Sequence, residues 1–241
     1  KRQFNKNHFE VIDQSNSKDM IEEVIDQIHA WIIRSGTVIT EKQIKKAKNL
    51  QVIGRAGVGV DNISIDAATK NGIVVMNVPD GNSISAAEHT IAMILALSRN
   101  LHIGHITLNE GKWDRANLIG NELKDKVVGI VGLGKIGREV IDRVLPFKVR
   151  VLGFDPYINK SLFNDDKVKI VDLDTLTKES DIISIHVPLN ESTRDLFDFK
   201  RIQMMKKESK IINVARGGII NELDLSKALN EIYQIKCDVE K

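Results

Sequence analysis

"GIVGLGKIG", residues 129–137, sets glycines at 132, 134 and 137 behind an apolar run. Such spacing is weak evidence on its own, and its meaning depends on what flanks it. "KVVGIV" (126–131) reads as a strand and "KIGREVIDRV" (135–144) as a helix. Asp155 ends the next strand, in "VLGFD", at about the 20-residue distance where a dinucleotide-binding unit carries its ribose-binding acid. The bland alternative is a glycine-rich turn with a chance acid downstream. On the functional reading Gly132 permits the tight turn, Gly134 lets the backbone approach a pyrophosphate, and Gly137 lets the helix pack on the strand. The pyrophosphate would rest on the helix N-terminus, and Asp155 would accept from the ribose hydroxyls. Its charge repels a 2′-phosphate and "DPY" (155–157) offers no arginine to neutralise one, so NAD is favoured over NADP.

Outward from this loop, short β-branched runs alternate with helical stretches, the pattern of parallel α/β sheets. "VRVLGFD" (149–155), "VKIVD" (168–172), "DIISIHVP" (181–188) and "KIINVARGG" (210–218) continue the series. An earlier set of strands is expected at "FEVID" (9–13), "AWIIRS" (30–35), "LQVIGRAG" (50–57) and "IVVMNVP" (73–79), with helices at "KDMIEEVIDQI" (18–28) and "TEKQIKKA" (40–47). Strands apolar on both faces suit sheets covered by helices on both sides. The pattern breaks at "NVPDGNSIS" (77–85), where Ser85 and Glu88 fit a capping box. The following helix, to about Asn100, is apolar on nearly every face and is expected between two domains. The fold class is therefore α/β, with two doubly wound parallel-sheet domains. Residues 1–80 are expected to form one domain, and 81–241 a Rossmann NAD-binding domain.

The 241 residues suffice for two ordinary domains, and 42% hydrophobic content can fill their cores. A net charge of +2 without a basic arm argues against nucleic-acid and membrane partners. The single cysteine, Cys237, excludes an internal disulfide and suits a reducing cytoplasm. The longest apolar-rich stretch, "IAMILALS" (91–98), has the length of a buried helix. No metal site is expected. The chain opens on Lys1 rather than Met and reads as a piece of something longer.

"VIGRAGVGVDNISIDAATKNGIVVMNVPDGNSISAAEHT" (52–90), "GLGKIGREV" (132–140), "SIHVPLNEST" (184–193) and "INVARGGII" (212–220) resemble the D-2-hydroxyacid dehydrogenase family, over almost the whole chain. The resemblance implies that residues 1–80 are a flavodoxin-like substrate (catalytic) domain, and it implies hydride transfer between a nicotinamide and C2 of a 2-hydroxy acid. "IIRS" (32–35) and "GKWDR" (111–115) are most like members that act on 3-phosphoglycerate/3-phosphohydroxypyruvate in serine biosynthesis. Such chemistry needs a cation on the substrate carboxylate and C2 oxygen, and a proton-transfer group. The resemblance gives the cation to Arg216, which also follows a predicted strand and so lies at the ligand-binding edge of its sheet. It gives cofactor contacts to Lys135 and Ile136 at the helix start, Val187 and Pro188 on the adenosine side, Val214 and Ala215 beneath the nicotinamide ribose, Asp238 at the carboxamide, and Val58 near the nicotinamide. Arg34, Ser35, Arg55 and Asn82 match substrate-facing positions on the first domain. A phosphate on the substrate would explain both arginines, because guanidinium groups bind phosphate bidentately; ordinary solvated strand ends are the alternative. None of the six histidines, His186 included, is expected to be the proton donor. A homodimer or homotetramer is implied, built through the helix at 83–100 and the arm with Trp113.

The sequence also departs from the family. The donor histidine, its orienting glutamate and the helix returning to the first domain are expected beyond "CDV" (237–239), and Glu240 lacks the phenylalanine that should precede it. A chain ending there is expected to bind NADH without efficient turnover. Where relatives have a glycine in "SFG", this chain has Lys148 in "PFK" (146–148). Two rival readings stand beside the phosphoglycerate one: a hydroxypyruvate or glyoxylate reductase, and an NAD(H)-sensing binding module, by analogy with the corepressors called C-terminal binding proteins.

Overall fold

The computed structural model describes residues 9–13, 21–79, 81–158, 168–231 and 236–239. The chain divides into two compact units, Lys1–Gly81 and Asn82–Lys241.

In the first unit α1 (Ile21–Val24), β1 (Ala30–Ile33), α2 (Glu41–Lys46), β2 (Val52–Arg55), α3 (Ile65–Lys70) and β3 (Val74–Met76) follow in order. The strands form a parallel sheet in the order β1-β2-β3. Ile33 and Ile53 point into a core with Ile44 of α2 and Ala67 and Ala68 of α3. On the alternate positions Ile32, Val74 and Met76 are exposed. Among the described residues the small sheet is thus covered on one face. The "FEVID" segment, expected as a strand, forms none: residues 9–13 lie outside the sheet. Its β-branched apolar content is strand-like, but a strand exists only through its ladder.

The second unit contains α4 (Ser83–Arg99), α5 (Leu101–Asn109), β4 (Val127–Val131), α6 (Lys135–Val144), β5 (Arg150–Phe154), β6 (Val168–Ile170), α7 (Leu173–Glu179), β7 (Ile182–Ile185), α8 (Phe199–Gln203), β8 (Lys210–Asn213), α9 (Glu222–Glu231) and β9 (Lys236–Val239). All six strands are parallel, in the order β6-β5-β4-β7-β8-β9. Counted within the unit, this is the 3-2-1-4-5-6 order of dinucleotide-binding sheets, and the order reverses between β4 and β7. Successive residues on each strand serve opposite cores. Val127, Val131, Ile183, Ile185 and Ile211 pack with Leu176, Ile202 and Leu225 from α7, α8 and α9. Val128, Ile130, Ile182 and Ile212 pack with Ile94 of α4 and Val140 and Ile141 of α6. Each such fully buried aliphatic contributes about 1.5–3 kcal/mol of transfer free energy, so β4 is fixed from both sides.

Two local details differ from sequence expectation. The helix after "NVPDG" starts at Ser83 with Asn82 as N-cap, and Ser85 lies inside its first turn, donating to the Asn82 carbonyl. The Ser85–Glu88 capping box therefore does not form. A true box closes α2, where Thr40 and Gln43 bond reciprocally. Lys148 adopts φ of 60° after the 3₁₀ turn Leu145–Phe147. A non-glycine residue in this region is strained by about 1–2 kcal/mol, which explains the glycine of the family pattern. Allowing for the extra chain entropy that glycine loses on folding, Lys148→Gly is expected to stabilise the protein by about 0.5–1 kcal/mol. A lowered urea midpoint would contradict this. Among the described residues no single helix is long and apolar enough to cross a membrane.

Candidate functional sites at the two sheet edges

Phe154, Val131, Ile185, Asn213 and Val239 are register partners in one row across the large sheet. The strands are parallel, so every loop beyond that row leaves from one edge. The glycine loop, Asp155, Val187–Pro188 and Val214–Arg216 all follow it directly. Asp238 sits one position before the row's end, opposite Ile212. Glu240 lies outside the described residues.

At the reversal point the three glycines meet three different constraints. Gly132 has φ of +96°, and a Cβ there would lie 2.6 Å from the His186 carbonyl and 2.9 Å from Val187 Cγ1. This presses the glycine loop onto the loop after β7. A Cβ on Gly137 would lie 2.0 Å from the Gly132 carbonyl oxygen, which is how closely α6 seats on its own turn. A Cβ on Gly134 would meet nothing within 4 Å. Gly134 is the N-cap of α6, and among the described residues no side-chain cap hydrogen bond is made at it. Helix N–H groups without a side-chain cap suit an anion. Lys135 is exposed and Ile136 half-buried at this start.

Asp155 is half-buried. Its Oδ2 accepts from the Leu133 N–H at 2.9 Å, and its Oδ1 from the Tyr157 N–H at 2.9 Å. These bonds fix the carboxylate against the glycine loop, and its further lone pairs can still accept from two hydroxyls. The loop and the acid thus fit a dinucleotide: a cradle too tight for side chains, an uncapped helix start and an oriented acceptor.

His186, at the end of β7, shares a 2.8 Å hydrogen bond between its Nε2 and Ser184 Oγ. Desolvation of the ring pushes its pKa down to about 4. At pH 7 it is neutral, without the extra proton a general acid gives up.

Arg216 is half-buried in the turn after β8, and its Nη1 donates to the Ala215 carbonyl at 2.8 Å. The turn is held by Asn213, a residue the sequence reading passed over. The available signal was an asparagine two residues ahead of a turn ending in Gly-Gly, since asparagine binds backbone N–H groups two residues on.

In the first unit Arg34 and Ser35 follow β1 and Arg55 ends β2, so they share the C-terminal edge of the small sheet. Arg34 and Ser35 are exposed. Arg55 is only 8% exposed. Its Nη1 donates weakly to the Ala56 carbonyl at 3.4 Å, and its buried Nε has no hydrogen-bond partner among the described residues. Asn62 Nδ2 donates to the Arg34 and Thr37 carbonyls at 3.1 and 2.5 Å, and Asn77 Nδ2 donates to the Val58 carbonyl at 2.6 Å. Two asparagines thus stitch this edge together. Asn82, expected on the first domain, begins the second unit instead.

Residues 91–240 match the family described as D-isomer specific 2-hydroxyacid dehydrogenase, NAD binding domain. The chain is similar to a D-3-phosphoglycerate dehydrogenase of Methanocaldococcus jannaschii, at 44% identity over 216 residues, covering 89% of this chain and 41% of that protein. It is also similar to a hydroxypyruvate reductase of Thermotoga maritima, at 40% identity over 237 residues, covering 98% of this chain and 76% of the relative. The chain therefore spans about two-fifths of the length of the phosphoglycerate dehydrogenases it matches. Among solved structures, NAD-dependent formate dehydrogenase from Staphylococcus aureus in complex with NAD superposes with a TM-score of 0.86 at 33% identity, covering 94% of this chain and 69% of the other. D-lactate dehydrogenase from Aquifex aeolicus, complexed with NAD and lactic acid, gives 0.83 at 30% identity, covering 91% and 66%.

Proposed function

This chain belongs to the D-isomer specific 2-hydroxyacid dehydrogenases, and from that premise we propose that it serves an NAD-dependent oxidoreductase acting on 3-phosphoglycerate and 3-phosphohydroxypyruvate, a step of serine biosynthesis. The observation that carries the reading is the single sheet edge from which the glycine loop, Asp155, Pro188 and Arg216 all project. NAD, when bound, exchanges the hydride. The chain's own residues do the rest: Gly134, Lys135 and Ile136 present backbone to the pyrophosphate, and Asp155 accepts from the ribose hydroxyls. Val187 and Pro188 line the adenosine side, with Val214 and Ala215 beneath the nicotinamide ribose. Asp238 takes the carboxamide, and Val58 is assigned to the nicotinamide by the family resemblance. Arg216 holds the substrate carboxylate and polarises the C2 oxygen. Arg34, Ser35, Arg55 and Asn82 take the remainder of the substrate. The buried Nε of Arg55, without a partner, supports an anionic substrate, because a desolvated guanidinium is costly unless paired. The proton is given to none of the six histidines, and the low pKa of His186 supports leaving it out.

Asp155→Ala tests the cofactor half. Losing hydrogen bonds to a charged acceptor is worth about 1.5–3 kcal/mol, or about tenfold to a hundredfold in NAD affinity. Tryptophan fluorescence titrations of NAD and NADP should show that loss for NAD, and the preference over NADP should shrink. An unchanged NAD affinity would remove Asp155 from the ribose. The substrate half is tested by comparing 3-phosphohydroxypyruvate, hydroxypyruvate and glyoxylate with NADH in the full-length protein. The similarity to a hydroxypyruvate reductase over nearly the whole chain supports hydroxypyruvate as the second reading. NADH binding without turnover of any of the three would favour a sensing module.

The same reading includes a two-fold homodimer, or a tetramer built from it. α5 has no buried residue, and Leu101, Ile106, Leu108, Trp113 and Ile119 are all exposed. Large exposed apolar side chains close together in the chain suit an interaction surface, and a two-fold axis buries one surface twice. Sedimentation velocity should give a dimer or larger at micromolar concentration, and Leu108→Glu should dissociate it; a wild-type monomer overturns this part. A cytoplasmic location is supported by the single cysteine.

A further inference from the structure

We infer that Asn213 is a positioning residue for Arg216, holding the turn from which its guanidinium is aimed; the inference rests on the proposed role of Arg216 as the substrate-binding cation. Asn213 is the last residue of β8 and is 2% exposed. Its side chain clasps the turn from both sides. Oδ1 accepts from the Ala215 N–H at 3.1 Å and from the Arg216 N–H at 3.4 Å. Nδ2 donates to the Arg216 carbonyl at 2.8 Å. One amide therefore binds both the N–H and the C=O of the arginine itself, fixing the peptide planes on either side of its Cα. The direction of the Arg216 Cα–Cβ bond follows from those planes, and the Nη1 bond to the Ala215 carbonyl anchors the side chain to the same turn.

The chemistry is specific to an amide. Aspartate keeps the shape and the acceptors but has no donor for the Arg216 carbonyl, serine is too short to reach both groups, and an aliphatic residue supplies neither donor nor acceptor. Asn213 is itself fixed, because β8 is paired on both sides, with Ile185 and Val239 as its register partners. The turn is therefore referred to the rigid sheet and not to the glycines that follow. A catalytic cation has to be held to a fraction of an ångström, since a displacement of about 1 Å can lower the rate by about 10²-fold.

The test uses the full-length protein with Asn213→Ser, Asn213→Asp, Arg216→Gln and the double variants, folding of each being checked by circular dichroism. Oxalate binding to the NADH-loaded protein reads the arginine without turnover, and NADH binding alone reads the rest of the site. Asn213→Ser should weaken oxalate about tenfold or more, and NADH, which on the proposed reading also meets Val214 and Ala215 of this turn, by a smaller factor. In the Arg216→Gln background it should cause no further loss, because residues acting through one another are not additive. Should the serine variant fail to fold, Asn213→Asp must give the same pattern. Full oxalate affinity in the Asn213 variants beside a large loss in Arg216→Gln overturns the inference alone. So does an equal loss in both backgrounds, which would mark a general structural role. Oxalate binding unaffected by Arg216→Gln overturns the reading of Arg216, and the inference with it.

Discussion

Arg216→Lys is expected to lower kcat/KM for the 2-oxo acid by on the order of 10²-fold or more, as for other lost electrostatic stabilisers, with NADH affinity within about twofold of wild type. The asymmetry comes from where the charge acts. On the proposed mechanism the guanidinium faces the substrate carboxylate and the C2 oxygen, and negative charge on that oxygen grows towards the transition state. A planar fork can bind carboxylate and oxygen together, whereas an ammonium is a point charge on a more flexible stem. The shorter reach also loses the Nη1 bond to the Ala215 carbonyl, so lysine starts from an unanchored position. The pyrophosphate and adenosine-ribose contacts belong to other loops and are untouched, and Val214 and Ala215 on the arginine's own turn keep their side chains and the Asn213 clasp. Steady-state kinetics of the full-length protein, with NADH titrated separately, separate the two quantities. Activity within a few-fold of wild type would mean that a different cation polarises the oxygen. A parallel loss of NADH affinity would mean that Arg216 acts on the cofactor.

The glycine loop was legible because Gly132 and Gly137 meet local constraints that demand the one residue without a Cβ, while the space over Gly134 is open to a ligand. Asp155 was legible by spacing, and its observed bonds to the Leu133 and Tyr157 N–H groups explain the spacing physically. The ladder of β4 with β5 brings the residue after Phe154 beside the residues after Val131. Other features were hidden because their cause is tertiary. Ser85 and Glu88 stand at capping-box spacing, but the chain enters α4 one turn earlier than that spacing implies. "FEVID" has a strand's β-branched residues, yet composition does not say what pairs with it. Arg55 reads as one more strand-end arginine; its burial and its unsatisfied Nε appear only when the turn at Gly57 folds over it. Asn213 stands in the same motif as Arg216, and only the folded turn shows that its amide supplies the hydrogen bonds that shape it.

Gly134→Ala and Gly137→Ala should separate two roles that the motif presents as one. At Gly137 the new methyl would lie 2.0 Å from the Gly132 carbonyl oxygen, a backbone atom that cannot swing aside as a side chain would. Either α6 lifts from β4 or the turn at Gly132 opens, and overpacking of this kind costs about 1–3 kcal/mol. Stability and NADH binding should therefore fall together. At Gly134 the methyl meets no protein atom within 4 Å, and the residue's φ of −66° is open to alanine. Replacing glycine at such a position usually stabilises a protein, by about 0.4–1 kcal/mol, through the unfolded chain. The space that the methyl enters is the space assigned to the pyrophosphate, at the uncapped start of α6. NADH affinity should therefore fall by about tenfold or more, which corresponds to about 1.4 kcal/mol or more of lost contact, while the urea midpoint stays level or rises. The combination of preserved stability and lost affinity is what a ligand cradle predicts and a merely structural turn does not. If Gly134→Ala binds NADH as tightly as the wild type, the pyrophosphate does not lie over Gly134, and the glycine there serves only the entry into the helix.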